Sequence, residues 1–121
     1  MWGDQTLCTC VHVLDPDAHH ARAVKAGATV IRGLEDTPYG ARDYYVRDPE
    51  GFLWGFGTYE MGAQRGEPNI FPELRCLSGP RAIGWLCDAF GFQPVVEIPG
   101  PAGTTVHAEL RLADGFVMLA T

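Results

Sequence analysis

An internal repeat constrains this chain more than any other feature of its sequence. A shift of about 63 residues moves residues 37–40 (TPYG) onto residues 100–103 (GPAG), and a shift of about 64 moves Gly51 onto Gly115. Each half reads strand, helix, strand, strand, strand, which is a βαβββ unit. One helix over one small sheet cannot cover that sheet, so we expect the two halves to pair. The repeat predicts an α+β fold built from two such units.

The domain boundaries follow from the repeat. Residues 61–68 (MGAQRGEP) are polar, contain two glycines and a proline, and have no hydrophobic period, so they are predicted to be a linker. Unit one is then 1–60 and unit two is 69–121. A chain of 121 residues has about the length of one domain, so we expect the units to form a single domain.

A β-hairpin at residues 39–58 is the best-defined local prediction. Asp48 suits the first position of a type I turn because its carboxylate accepts backbone hydrogen bonds, while Pro49 fixes φ and Gly51 fits the fourth position. The flanking residues are rich in Tyr, Val, Trp and Phe, which are typical of strands.

The remaining elements are predicted from periodicity and from helix capping. In unit one we expect a strand at 6–14, a helix at 18–26 capped by Asp15 or Asp17, a short strand at 29–31 and a loop at 35–40. In unit two we expect strands at 70–77, 93–98, 105–112 and 116–120. A helix is predicted to run from Ser78 to Gly91.

Charge and cysteine content limit the function classes. The formal net charge is −6, so binding to nucleic acid or to an anionic membrane surface is not expected. No apolar run approaches the roughly 20 residues that cross a bilayer, and the first residues do not resemble a signal peptide, so we expect a cytoplasmic protein. The four cysteines do not form a paired framework and are predicted to be free thiols.

Strand alternation predicts which side chains share a face. One face of each sheet is expected to pack under a helix. The other face is expected to carry the candidate ligand-binding residues Cys8, Cys10, His12, Tyr45, Arg47, Phe71, Glu73, Arg75, His107 and Glu109, together with Arg111.

Two segments, YGARDYYVRDPEGFLWGFG and AFGF followed by VHAELRLADGFVML, resemble the glyoxalase/bleomycin-resistance/dioxygenase family, also called the vicinal oxygen chelate family. The resemblance covers essentially the whole chain. It implies that the two mixed sheets form a curved cup with the helices outside. In the family the unit with the AFGF pattern usually comes first, so the reversed order here suggests a circular permutation or a piece of a tandem protein. The linker would decide whether units pair within one chain or exchange between two chains of a homodimer.

The resemblance also implies where a metal would bind. Enzymes of the family hold a divalent metal through His, Glu or Gln at four cup-facing positions, which fall here on Cys8, Gly55, Phe71 and Leu119. Three of these residues have no side-chain donor, and one thiol cannot hold a catalytic metal alone. We therefore predict no metal and no cofactor, with Leu119 and Phe71 in contact with a ligand instead.

An unusual metal site is the alternative for the same face. His12, His107, Glu73 and Glu109 all carry donor atoms; otherwise Glu73, Arg75, Glu109 and Arg111 pair across neighbouring strands while the histidines fill polar space. Cys8 beside His12 is either a reactive thiol or a small buried filler. His19 and His20 are expected on the solvated face of the first helix.

The sequence thus favours binding without chemistry. A cup lined by aromatic and polar groups suits a small aromatic or amphipathic molecule. The resemblance implies sequestration of an antibiotic, and the acidic net charge favours a cationic or neutral compound. The alternative is a metal-dependent lyase, isomerase or ring-cleaving dioxygenase. A third possibility is that the fold serves only as a partner interface.

Overall fold

The structure, a computed structural model, describes residues 6–59 and 69–121. The chain divides into two compact units, residues 1–60 and 61–121. Unit 1 contains β1 (Leu7–His12), α1 (Pro16–Lys25), β2 (Thr29–Asp36), β3 (Arg42–Arg47) and β4 (Leu53–Gly57). Unit 2 contains β5 (Ile70–Arg75), α2 (Gly79–Phe90), β6 (Gln93–Pro99), a 3₁₀ turn (Pro101–Gly103), β7 (Thr105–Leu112) and β8 (Gly115–Ala120). The predicted linker at 61–68 lies outside the described residues.

The sheet of each unit has the same connectivity. In unit 1 the strand order is β2-β3-β4-β1, with β1 parallel to β4 and the other pairs antiparallel. In unit 2 the order is β5-β8-β7-β6, again with the first strand parallel to the last. The predicted α+β fold class of two βαβββ units is therefore confirmed.

Both helices have the predicted N-cap residues and α2 has the predicted bounds, but α1 runs from Pro16 to Lys25 instead of from 18 to 26. The Asp15 side chain caps α1 by accepting a hydrogen bond from the Ala18 amide at 3.0 Å, and Pro16 occupies the first turn, where no amide hydrogen is needed. The Ser78 hydroxyl caps α2 in the same way, and Gly91 ends it in the left-handed region at φ 81°. α1 packs on β2 and β3, and α2 packs on β6 and β7.

The hairpin turn between β3 and β4 is held by one carboxylate. Asp48 Oδ1 accepts hydrogen bonds from the amides of Glu50 at 3.0 Å and Phe52 at 2.9 Å, while Oδ2 accepts one from Trp54 Nε1 at 3.0 Å. The bond from Trp54 is the main reason that the pKa of Asp48 lies below its usual value. Gly51 adopts φ 90°. The predicted role of Asp48 as the first residue of the turn is confirmed.

Strand β2 is longer than predicted. This strand runs to Asp36 instead of ending at residue 31, with irregular pairing near Arg32 and at Glu35. The polar residues after residue 31 show no alternation, so the sequence gives no strand signal there. Pairing with β3 extends the strand, and Arg42 holds its end through Asp36 at 3.2 Å.

The core of unit 2 lies between α2 and its sheet. Ile83 of α2 packs against Ala108, Leu110 and Leu119, all of which are buried. The partly buried side chains around this cluster are Leu74, Cys76, Leu86, Cys87, Phe92 and Val117. The helix face of the sheet in unit 2 is therefore filled by aliphatic side chains.

Candidate functional site

Each sheet has one face under its helix and one face that points away from it, which we call the distal face. In unit 1 the pairs Tyr45–Gly55 and Cys10–Gly55 fix the register, so alternate residues share the distal face. That face carries Cys8, Cys10, His12, Asp43, Tyr45, Arg47, Leu53, Gly55 and Gly57. The predicted placement of the five candidate residues of unit 1 on this face is confirmed.

The Tyr45 ring covers the position where the resemblance places a metal ligand in β4. A Cβ atom built on Gly55 would lie 2.7 Å from Tyr45 Cε1, which is closer than carbon atoms approach, and 3.1 Å from Cδ1, which is unusually tight. Glycine is therefore required here for Tyr45 to lie flat against the strand. The space that a metal-binding side chain would use is filled by an aromatic ring.

Beside Tyr45 lies an ion pair that the sequence did not predict. Arg32 Nη2 donates to Asp43 Oδ1, and the Arg32 guanidinium carbon lies 5.0 Å from the centroid of the Tyr45 ring. Although burial lowers the pKa of Arg32, the hydrogen bond to Asp43 and its charge raise it overall. The result is a planar cation stacked near an aromatic ring, with its charge balanced by a buried carboxylate.

The thiols of β1 lie together on the same face. Cys8 and Cys10 are both buried and unoxidised, and their Sγ atoms are 4.0 Å apart. His12 follows two residues later on that face. The four cysteines, with Cys76 and Cys87 in unit 2, are free thiols, as predicted.

The distal face of unit 2 carries a buried carboxylate and an imidazole. His107 Nε2 lies 2.7 Å from Glu109 Oε2, and Glu109 is only 1% exposed. Met118 of β8 is opposite both Glu73 and Glu109. β8 lies between β5 and β7, so Glu73 and Arg75 are not on a strand adjacent to Glu109 and Arg111.

The other candidates of unit 2 follow the same alternation, with one exception. Phe71 is buried, and Phe71, Glu73 and Arg75 alternate along β5 on the distal face. Arg111 lies over the Phe116 ring at 5.8 Å and donates to the Ala113 carbonyl.

Leu119 does not belong to the distal face. It pairs with Ala108 across the sheet and packs with Ile83 of α2, so its side chain lies on the helix face. The prediction that Leu119 contacts a ligand is wrong because the assumed phase of β8 was displaced by one residue. The distal residue at this point of the strand is Met118.

The residues present do not fit a metal centre of the kind that the resemblance implies. Of the four expected positions, Gly55 is covered by Tyr45, Phe71 is a buried hydrocarbon side chain, and Leu119 faces α2. Within residues 6–59 and 69–121, no three His, Cys, Asp or Glu side chains lie close enough together to hold a metal ion.

His19 was expected on the solvated face of α1, but its side chain packs against Phe56 and Tyr44 of the sheet. Its ring lies 4.3 Å from the Phe56 ring, and its Nδ1 is 2.5 Å from Tyr44 Oη. Burial lowers the pKa of His19, with a smaller effect from Arg22, and burial raises the pKa of Tyr44 to about 12. Tyr44 therefore stays protonated beside the imidazole, and the His19 tautomer decides which of the two groups donates the hydrogen bond. No pattern in the sequence indicates this pair, because two adjacent histidines on a helix usually face solvent.

This arrangement predicts a pH dependence of stability. Because the pKa of His19 is lower in the folded state than its unfolded value of about 6.5, the unfolded chain binds the proton more readily. The contribution of His19 to the free energy of unfolding is complete above a pH of about 6.5, and it is lost as the pH falls towards the pKa of His19 in the folded state. Between pH 8 and pH 5, the free energy of unfolding measured by urea denaturation should therefore change less with pH for His19→Gln than for wild type. The role of His19 would be contradicted if His19→Gln kept the pH dependence of wild type, or if the control His20→Gln reduced it equally.

Comparisons with known proteins agree with the repeat and the fold. Residues 4–56 match the model of the Glyoxalase/Bleomycin resistance protein/Dioxygenase superfamily. An uncharacterized protein of Mycobacterium tuberculosis is 49% identical over 45 residues, which are 37% of this chain and 26% of that protein. The matched segment thus spans about a quarter of the length of this curated relative.

Solved structures resemble the chain over both units. Glyoxalase I from Zea mays aligns with a TM-score of 0.77 at 18% identity, covering 97% of this chain and 43% of the maize chain. A methylmalonyl-CoA epimerase of Streptomyces coelicolor aligns with a TM-score of 0.61 at 16% identity, covering 97% of this chain and 96% of the epimerase. At these identities the likeness concerns the fold.

No helix among the described residues is long and apolar enough to cross a membrane. The family match lies in unit 1, and the fold match extends through unit 2. The chain therefore resembles the Glyoxalase/Bleomycin resistance protein/Dioxygenase superfamily in sequence over residues 4–56, and it shares a fold with glyoxalase I over both units.

Proposed function

We propose that this chain binds a planar or amphipathic organic molecule without a metal, as the sequestering members of the superfamily that it resembles do. The observation that carries the proposal is the Tyr45 ring lying over Gly55, at a position where a metalloenzyme needs a ligand. An aromatic ring in that place can stack on a ligand, but its face cannot coordinate a metal. Ligand sites of this kind gain affinity from aromatic surface and orientation from a few polar groups.

The polar groups beside Tyr45 suit such a ligand. Arg32 pairs with both Asp43 and Glu35, so this cluster of one cation and two carboxylates carries a formal charge of −1. The net charge of −6 then favours a cationic ligand over an anionic one through the long-range field. We therefore propose a cationic or neutral aromatic compound, a class that includes aromatic antibiotics.

Titration with proflavine, a planar aromatic cation, tests this proposal. We expect saturable binding in the presence of EDTA and about tenfold weaker binding for Tyr45→Ala, because aromatic contacts contribute about 1 kcal/mol beyond their buried area. Tyr39→Ala is the matched control, since Tyr39 is an exposed residue outside the distal strands. Equal affinities for wild type and Tyr45→Ala would contradict the proposal, as would binding that EDTA abolishes.

A second function has one specific observation in its favour. The carboxylate of Glu109 is buried and contacts His107 at 2.7 Å, an arrangement that can move a proton. The maize and Streptomyces proteins of similar fold are a glyoxalase and an epimerase. We propose a metal-dependent lyase, isomerase or dioxygenase as the alternative. Turnover that requires added metal and is lost in Glu109→Gln would favour it over sequestration.

A further inference from the structure

Unit 1 contains a cavity on the side of its sheet opposite the distal face. The cavity has a volume of about 350 Å³ and lies between α1 and β3–β4. Its wall on the sheet side is formed by Trp54 and Phe56, and its wall on the helix side includes Ala23 and Ala26. This volume falls within the range of about 300–1,000 Å³ found for small-molecule sites.

The repeat provides an internal comparison for this cavity. In unit 2 the corresponding interface between helix and sheet is filled, because α2 presents Ile83 and Leu86 to Ala108 and Leu110. In unit 1 the helix presents only methyl groups at Ala23 and Ala26 beside His19. The same architecture is therefore packed in one unit and left open in the other.

The sheet side of the cavity is aromatic and held in place. The Trp54 and Phe56 rings are parallel, with an interplanar angle of 6° and centroids 6.2 Å apart. The His19 ring already lies 4.3 Å from the Phe56 ring, whereas Asp48 fixes the indole of Trp54 by accepting its Nε1 hydrogen at 3.0 Å. A fixed indole favours a flat, fused-ring ligand, which can stack on it at a small cost in conformational entropy.

The polar groups at the cavity define the rest of the ligand. His19 Nδ1 is hydrogen-bonded to Tyr44, and in the tautomer where Tyr44 donates to Nδ1 the ring proton is on Nε2, which can donate to an acceptor oxygen. Asp48 borders the cavity, and its carboxylate already accepts hydrogen bonds from the amides of Glu50 and Phe52 and from Trp54 Nε1. This combination favours an uncharged molecule with a hydrogen-bond acceptor.

We propose that the cavity between α1 and the Trp54–Phe56 wall is a second binding site, for an uncharged planar molecule of two fused rings with one acceptor oxygen. It is separate from the distal face and does not depend on the function proposed above. Ligand atoms would stack on Trp54 beside the alanines of α1, and His19 would orient the acceptor.

Isothermal titration with coumarin, an uncharged fused-ring lactone, tests this site. Ala23→Leu adds an isopropyl group inside the cavity, so we expect coumarin binding at least about tenfold weaker than in wild type. Ala21→Leu makes the same change on the same helix at an exposed residue that does not line the cavity, and should leave binding unchanged. If Ala23→Leu does not fold, as judged by circular dichroism, Ala26→Leu replaces it.

The outcomes separate this site from the distal face. Binding that is lost in Ala23→Leu and kept in both Ala21→Leu and Tyr45→Ala supports the proposal. Three results would overturn it: no coumarin binding to wild type, equal binding to Ala23→Leu, or a loss of binding that occurs in Tyr45→Ala alone.

Discussion

Leu110→Ala is expected to lower the free energy of unfolding by about 2–5 kcal/mol. Leu110 is 0% exposed and belongs to the cluster that joins α2 to its sheet through Ile83. Removing its side chain loses buried apolar surface and leaves a cavity, and both effects destabilise the fold. Urea denaturation followed by circular dichroism measures the change through the transition midpoint.

The same substitution two residues later serves as the control. Leu112 lies on the same strand and the same face but is 44% exposed, so Leu112→Ala should cost about 1 kcal/mol or less. If Leu112→Ala destabilised the protein as much as Leu110→Ala, then the core would not lie where α2 packs on β7, and the assignment of the two sheet faces in unit 2 would be wrong.

Gly57→Ala should be among the most destabilising single-methyl changes in unit 1. The added Cβ would lie 2.5 Å from Asp43 Cβ and 3.0 Å from the Arg42 carbonyl oxygen. The oxygen is part of the backbone of the neighbouring strand β3, and Asp43 Cβ is bonded directly to that backbone, so neither atom can rotate away. We expect a loss at the upper end of the ~1–3 kcal/mol typical of overpacking, measured by the same denaturation.

Gly33→Ala is the matched control for this change. Gly33 also lies in a strand of unit 1, but a Cβ there would have no neighbour within 4 Å. The substitution should therefore leave stability within about 1 kcal/mol of wild type, because only chain entropy changes. A tolerated Gly57→Ala would mean that β3 and β4 do not pair in the register seen here.

The fold was predictable because its signals are local and occur twice. The turn residues at Asp48 and Gly51, the cap at Ser78 and the terminating Gly91 each act within a few residues of their own position. Repetition of this order along the chain then reveals the two units. The helix of each unit joins its first two strands, whereas the parallel pair is formed by the first and the last strand, which the structure reveals.

What the sequence did not predict depends on contacts between distant residues. The end of β2 is set by pairing with β3 through Arg42, and its residues show no period of their own. The side on which Leu119 lies depends on one residue of strand phase after the turn. His19 turns inward because Tyr44, 25 residues away, offers a hydrogen bond.

The candidate site was predicted in part. Alternation placed Tyr45, Cys10 and Glu109 on their observed face, because the phase of β1, β3 and β7 is set by strong apolar residues on the other side. The ion pair of Arg32 with Asp43 was missed, since it requires a strand that the sequence does not announce. The ligand-binding roles of these residues stay predictions.

Metal content is the most direct test of the central proposal, that this chain binds its ligand without a metal. Purified protein would be stripped with EDTA, incubated separately with zinc, nickel, manganese and iron, desalted, and measured by inductively coupled plasma mass spectrometry. Since Gly55, Phe71 and Leu119 offer no donor atoms, we expect well below one retained ion per chain for every metal. Retention of one ion per chain, or one per two chains, with an accompanying rise in thermal stability would contradict the proposal.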